Sequence, residues 1–186
     1  RGKAAILGKD VGDVNIRQFI GYLPENPYFY DYLNPIELLR FAGKTSGMTT
    51  ARDIEERTNS LLNTVGLWND RKRSIRSYSK GMVQRTGLAL ALIHDPKIVI
   101  LDEPMTGLDP IGRRQVIDLI LKMKTEGKTV FFSSHILEDI ERVCDRIGML
   151  VNGSLVRTIN IASEHLGKPL EEIFIEEVEK AGEVRL

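Results

Sequence analysis

Asp102 and Glu103 stand side by side behind four aliphatic residues, Ile98-Val99-Ile100-Leu101, and ahead of Pro104. Such an aliphatic run reads as a strand covered on both faces, so the two carboxylates fall where that strand ends. Burying adjacent carboxylates is costly unless solvent, a metal or polar partners receive them. Taken alone, Asp-Glu-Pro reads as a strand running out into a charged loop. Preceded by the four aliphatics and followed by Gly107-Leu108-Asp109-Pro110, it reads as chemistry.

The arrangement is that of a Walker B element. Asp102 would hold Mg²⁺ through water, because Mg²⁺ prefers few carboxylates together with water and phosphate oxygens. Glu103 would orient or deprotonate an attacking water. The two roles need two carboxylates, since one held at a metal is poorly available as a base.

Three other stretches gain meaning from that pair. Ser133-Ser134-His135 follows the next strand. Taken singly, His135 reads as a capped surface histidine; after a Walker B strand it stands where a group sensing a γ-phosphate belongs. Tyr78-Ser79-Lys80-Gly81-Met82-Val83-Gln84-Arg85 opens a helix with Ser79 as its N-cap. A helix N-terminus presents free N–H groups and a positive dipole end, and Gly81 would let a phosphate approach the backbone. Residues 71–85 hold six basic side chains and no acidic one, which fits a surface that meets phosphate. Tyr22-Leu23-Pro24-Glu25 places a carboxylate just after a strand; alone, Glu25 reads as a turn acid.

The elements that must carry these residues are legible from punctuation and periodicity. Strands are expected at Lys3–Leu7 and Phe19–Leu23, the second stopped by Pro24. An aromatic loop, Pro27–Tyr32, reads as packing. Asn34-Pro35-Ile36-Glu37 is a helix start with a capping box, and the helix should run to Lys44. Thr50 starts a second helix, ended by Gly66. A third runs from Ser79 to His94. Then follow a strand over Lys97–Leu101, a helix from Asp109 to Gly127, a buried-type strand over Thr129–Ser133, and a helix over Ile136–Cys144. Arg146–Val151 and Ser154–Thr158 flank Asn152-Gly153, a two-residue hairpin signal. Leu170–Ala181 reads as an acidic amphipathic helix packed on the domain, and Cys144 as a small core residue on its helix.

The middle of the chain thus alternates helix and strand, which implies a parallel sheet with crossover helices. Ligands of such sheets gather at the carboxyl ends of the strands, where the acid pair lies. Composition agrees with a soluble α/β domain: 186 residues, 42% hydrophobic and 28% charged, with 26 basic and 26 acidic residues balancing to zero. No overall attraction to nucleic acid or anionic membrane is indicated. The longest purely apolar run, Leu88–Ile93, is far short of a membrane span. A single cysteine excludes an internal disulfide and a cysteine-based zinc site.

Together these motifs resemble the nucleotide-binding domain of ABC transporters, over nearly the whole chain and in the expected order. Ile98–Glu103 matches Walker B, Gly107–Pro110 the D-loop and His135 the switch histidine. Tyr78–Met82 is similar to the signature motif, in the form Tyr-Ser-Lys-Gly-Met rather than Leu-Ser-Gly-Gly-Gln. Glu25 falls where the family carries the glutamine of its Q-loop. Both departures are similar to the ABC-2-type exporter subfamily. The Walker A loop, G-x-x-x-x-G-K-[ST], is absent from this sequence. Gly43-Lys44-Thr45 has its tail, but position 38 is Leu and no strand precedes it. With Arg rather than Met at position 1, the expectation is a domain cut short before Walker A, inactive alone, with its sheet incomplete and apolar surface exposed.

The resemblance implies a P-loop NTPase-like sheet, a helical lobe over residues 34–78 within a single domain of residues 1–186, and remnants of an N-terminal antiparallel β lobe. It implies ATP and Mg²⁺ as ligands. Glu103 and His135 would be catalytic. Asp102 and Glu25 would approach the metal, and Ser79, Lys80 and Gly81 would meet the γ-phosphate held by a partner domain in a head-to-tail pair. Asp109 would communicate between the two sites. The implied partners are a second ATPase subunit, identical or paired, and a transmembrane permease that sets the substrate; the location would be the cytoplasmic face of the membrane. A soluble ATPase acting on nucleic acid or the ribosome is the alternative, and nothing in the sequence favours it.

Overall fold

The structure, a computed structural model, describes residues 2–161, 167–180 and 182. The chain divides into two compact units, Arg1–Ser133 and Ser134–Leu186.

The first unit opens with a two-residue hairpin, β1 (Ala5–Ile6) against β2 (Lys9–Asp10), turned by Leu7 and Gly8 at positive φ. The expected strand at Lys3–Leu7 is therefore shorter, because the chain reverses at its end. A 3-10 turn over Val14–Phe19 leads into β3 (Ile20–Leu23), which stops at Pro24 as expected. The helical lobe follows. α1 (Pro35–Thr45) starts on a complete capping box: Glu37 N–H donates to Asn34 Oδ1 at 3.0 Å, and the Asn34 N–H donates to Glu37 Oε2 at 2.9 Å. α2 (Ala51–Thr64) is capped by Thr50 and followed by Gly66 at φ +67°. Two 3-10 turns, Trp68–Asp70 and Ile75–Ser77, close the lobe. α3 (Lys80–Leu92), β4 (Ile98–Leu101), α4 (Pro110–Thr125) and β5 (Thr129–Phe132) complete the unit.

Strands β3, β4 and β5 form a parallel sheet in that order, with Leu23, Leu101 and Phe132 in register. The ladder continues one residue further on two strands: Asp102 N–H donates to Leu23 O at 2.8 Å, and Ser133 N–H to Leu101 O at 3.1 Å. Parallel pairing in register brings the carboxyl ends of all three strands to one edge. α1 and α2 pack on each other and on α3, and α3 lies directly on β3. That approach requires glycine. A Cβ on Gly21 would stand 2.1 Å from the Ala91 carbonyl oxygen, and one on Gly87 2.5 Å from Leu23 Cδ1. Leu23, Val99 and Leu101 are fully buried beneath.

The expectation of strands covered on both faces needs correction. The Leu23 and Leu101 side chains point into the core, but Tyr22, Ile100 and Phe131, also in register, line the opposite face. Phe131 is 69% exposed and Tyr22 57%. An aliphatic strand sequence specifies that both faces are apolar, not that both are covered.

The second unit holds α5 (Leu137–Val143), a hairpin of β6 (Arg146–Val151) with β7 (Ser154–Asn160), and α6 (Leu170–Lys180). Asn152 and Gly153, at φ 48° and 73°, form the expected turn. Arg146–Val151, which closes the alternation of helix and strand and is also one arm of the expected hairpin, pairs antiparallel with β7 as that turn predicts. Among the described residues it joins no strand of the parallel sheet. Ile147, Met149, Val151 and Ile159 build a small core with Leu170 and Ile173 of α6. Leu170 N–H donates to Glu141 Oε1 at 2.7 Å, holding the start of α6. Phe174 and Val178, at helical spacing from Leu170, are only half-buried. Cys144 is half-buried and stands just past α5, not within it. Ala181, the expected end of the last helix, lies outside the described residues.

Candidate functional site

The carboxyl edge of the sheet gathers Glu25, Asp102, Glu103 and Ser133, each at or just past the end of β3, β4 or β5. Asp102 and Glu103 are half-buried. Ser133 Oγ donates to Asp102 Oδ1 at 2.6 Å and accepts the Glu103 N–H at 3.0 Å. One hydroxyl thus orients both acids, and it can do so because the parallel ladder sets Ser133 beside Asp102.

Glu103 has φ +47°, a left-handed conformation that is rare for a residue with a side chain. Its backbone is held on both sides. The carbonyl accepts the Thr106 N–H at 3.1 Å and Gln84 Nε2 at 3.2 Å. Its carboxylate Oε2 accepts Thr106 Oγ1 at 3.1 Å. A non-glycine residue in this region costs of order 1–3 kcal/mol and persists where its surroundings over-determine it, typically at functional sites.

The N-terminus of α3 lies against the loop that follows Glu103. Ser79 caps it, with the Met82 N–H donating to Ser79 Oγ at 3.3 Å. A Cβ on Gly81 would meet Leu108 Cδ2 at 3.2 Å and Gly107 O at 3.4 Å. A side chain at 81 would therefore ask the Leu108 side chain to give by a few tenths of an ångström, so glycine fits this packing closely. The Lys80 stem covers Gly107, itself at φ +75°. Asp109 is engaged as the N-cap of α4, accepting the Gly112 N–H at 2.7 Å. Tyr78 anchors the preceding turn by donating to Asp70 O at 2.9 Å. Burial, then the Asp70 carboxylate, raises its hydroxyl pKa to about 12, so it stays neutral.

The basic run is less available to phosphate than its sequence implies. Arg71 stacks on Trp68 at 3.9 Å, Arg73 pairs with Asp70, and Arg85 donates to Val65 O at 3.1 Å. Lys72, Arg76 and Lys80 are exposed. Half of the run knits the lobe to its own turns.

His135 stands three residues past β5 and begins the second unit with Ser134, whose Oγ accepts the Ile136 N–H at 3.1 Å. It is exposed. Among the described residues no three or more His, Cys, Asp or Glu gather as a metal centre. An ion caged by protein carboxylates does not fit this edge; one held by Asp102, water and phosphate oxygens does, with the Ser133 hydroxyl fixing Asp102. Glu25 is exposed two residues past the end of β3, the strand that pairs with β4.

In the sequence Ser133 and Gln84 stand within longer motifs that assign neither a role, and Thr106 carries no signal of its own. A hydroxyl directly past a strand that neighbours the acid pair was the available signal for Ser133. For Gln84 it was a polar residue amid the apolar positions of α3.

The family model for ABC transporters matches residues 1–106. An uncharacterized ABC transporter ATP-binding protein of Synechocystis is 47% identical over 163 residues, 87% of this chain and 46% of that protein. A lantibiotic transport ATP-binding protein of Streptococcus pyogenes is 38% identical over 175 residues, 93% of this chain and 72% of that one. Among solved structures, an ATP-binding subunit of an ABC transporter superposes with a TM-score of 0.84 at 29% identity, over 96% of this chain and 77% of that one. The chain spans about half the length of most such curated relatives.

Proposed function

The chain belongs to the ABC transporter family, and on that premise we propose that it is part of an ATP-hydrolysing subunit that powers an exporter. The observation that carries this reading is the held acid pair: Asp102 and Glu103 oriented together by Ser133 at the carboxyl edge of the sheet, with the α3 N-terminus packed on the loop that follows them. Relatives whose names place them in lantibiotic and bacitracin transport support a role in transport.

In this reading Asp102 holds Mg²⁺ with Glu25 nearby, and the ion, when bound, neutralises charge building on the phosphate oxygens. Glu103 takes a proton from the attacking water. Its left-handed backbone lets it leave the strand direction while Asp102 remains in line. Ser79 and the Gly81 amide contact the γ-phosphate of ATP held by a second subunit, and Asp109 shapes the loop between the two sites by capping α4. His135 serves the transition state. The helical lobe of residues 34–78 docks on a membrane permease at the cytoplasmic face. Among the described residues no helix is long and apolar enough to cross a membrane.

The deciding experiment is steady-state ATP hydrolysis by the intact protein and its Glu103→Gln variant. Hydrolysis that the substitution abolishes while ATP binding persists supports the reading. Unchanged hydrolysis sinks it.

A further inference from the structure

Gln84 is 2% exposed, one of the few polar side chains buried among the described residues. A buried amide is costly unless hydrogen-bonded, so its partner is informative. That partner is not on its own helix. Nε2 donates to the Glu103 carbonyl at 3.2 Å, across 19 residues of sequence. The same carbonyl takes the Thr106 N–H, and the Glu103 N–H is held by Ser133. Ser133 and Thr106 lie on the sheet edge or in the adjoining loop. Gln84 alone of the three reaches Glu103 from α3, five residues and about 7.5 Å beyond the cap Ser79.

We propose that Gln84 is a positioning residue for hydrolysis: its amide holds the Glu103 backbone in the left-handed conformation that aims the base, and ties that base to the helix whose N-terminus carries Ser79. The proposal rests on the reading of Glu103 as general base. Gln84 does not itself touch water or phosphate. A displacement of the α3 N-terminus, as when a phosphate docks on it, is transmitted to the Glu103 carbonyl through this amide bond, beside the packing of Gly81 and Lys80 on the loop at Gly107. Removing the donor lets Glu103 relax toward an ordinary conformation, and a displacement of about 1 Å at a catalytic group lowers turnover by up to about 10²-fold.

The test uses the intact protein with Gln84→Met, which keeps the volume and loses the donor, and Gln84→Glu. Gln84→Met should lower kcat about 10- to 100-fold with KM for ATP little changed. In Gln84→Glu the buried carboxyl is protonated at the acid end and donates to the Glu103 carbonyl; ionised, it cannot. Its rate relative to wild type should recover as pH falls from about 9 to about 6. In a Glu103→Gln background, Gln84→Met should add no further loss, since it acts through the residue already removed. Wild-type turnover in Gln84→Met overturns the proposal. So does an equal deficit of Gln84→Glu at every pH, the mark of a merely structural role, or an undiminished loss in the double variant. If Gln84→Met does not fold, the pH series of Gln84→Glu decides. Full hydrolysis in Glu103→Gln alone overturns the base assignment and this inference with it, whereas a Glu103-dependent rate indifferent to Gln84 overturns only the inference.

Discussion

Ser133 Oγ donates to Asp102 Oδ1 over 2.6 Å, tying the end of β5 to the end of β4, 31 residues apart in sequence. The same oxygen accepts the Glu103 N–H. Ser133→Ala removes the group that orients Asp102, the carboxylate proposed to face the metal. Outer partners of this kind are worth about 10–100-fold in metal affinity or activity. A Mg²⁺ titration of ATP hydrolysis should show a weakened Mg²⁺ response in Ser133→Ala and near wild-type behaviour in Ser133→Thr. Indistinguishable titrations would remove Ser133 from the site.

Glu103→Gln keeps the shape of the side chain and loses the proposed base. ATP binding should persist while kcat falls by about 10²–10⁴, the usual contribution of a general base. Binding measured with labelled nucleotide beside steady-state turnover separates the two, and a parallel loss of binding would indicate damage to the site.

Gly21→Ala should destabilise the fold although Gly21 sits in an ordinary strand conformation. The added Cβ meets the Ala91 carbonyl oxygen at 2.1 Å and Pro96 Cγ at 2.9 Å. The first of these is backbone, so α3 must move off β3. Overpacking of this kind typically costs about 1–3 kcal/mol. Urea unfolding of the two proteins measures it, and an unchanged midpoint would contradict the close approach.

Acid should weaken the lobe anchor in two stages. Burial lowers the His94 pKa below its ordinary 6.5, against the raising effect of its bond to Ile20 O. Its Nδ1 is buried with no hydrogen-bond partner. The folded state therefore favours neutral His94, and stability present above 6.5 is lost as pH falls from there toward the lowered value. Next along the chain, Asp95 Oδ1 accepts Lys128 Nζ at 2.7 Å and Arg57 Nη2 at 3.0 Å. The Lys128 hydrogen bond, then the Arg57 charge, lowers its pKa below 3.8 despite partial burial. That contribution is present above 3.8 and is lost as pH falls through the lowered value. His94→Gln should flatten the upper stage and Asp95→Asn the lower one, read from urea midpoints across pH. Unaltered slopes would remove these residues from the acid response.

Much of this protein is legible without coordinates, because many of its devices are local. Asn34 with Glu37, Thr50 with Asp53, Asp109 with Gly112 and Asn152-Gly153 are interactions between residues within three of each other, so residue type and spacing specify them. The acid pair behind four aliphatics is likewise local, and the signature and D-loop stretches are short. From these the helices, most strand positions, the parallel sheet and Asp102, Glu103 and Ser79 follow directly.

What the tertiary structure decided is everything that depends on which distant residues meet. The pairing of Ser133 with Asp102 and of Gln84 with Glu103 comes from strand order and helix docking. Gly21 and Gly87 matter because α3 lies on β3. Apolar character in β5 is visible in its sequence, whereas the exposure of Phe131 depends on what packs above it. The antiparallel pairing of Arg146–Val151 with β7 is legible in the Asn152-Gly153 turn, whereas its separation from the parallel sheet is visible only in the strand pairing. Sequence specifies local geometry through forces acting over a turn or two. Burial, strain at Glu103 and the company each carboxylate keeps arise only when separate elements are packed together, and these are the properties that turn two acids into a site.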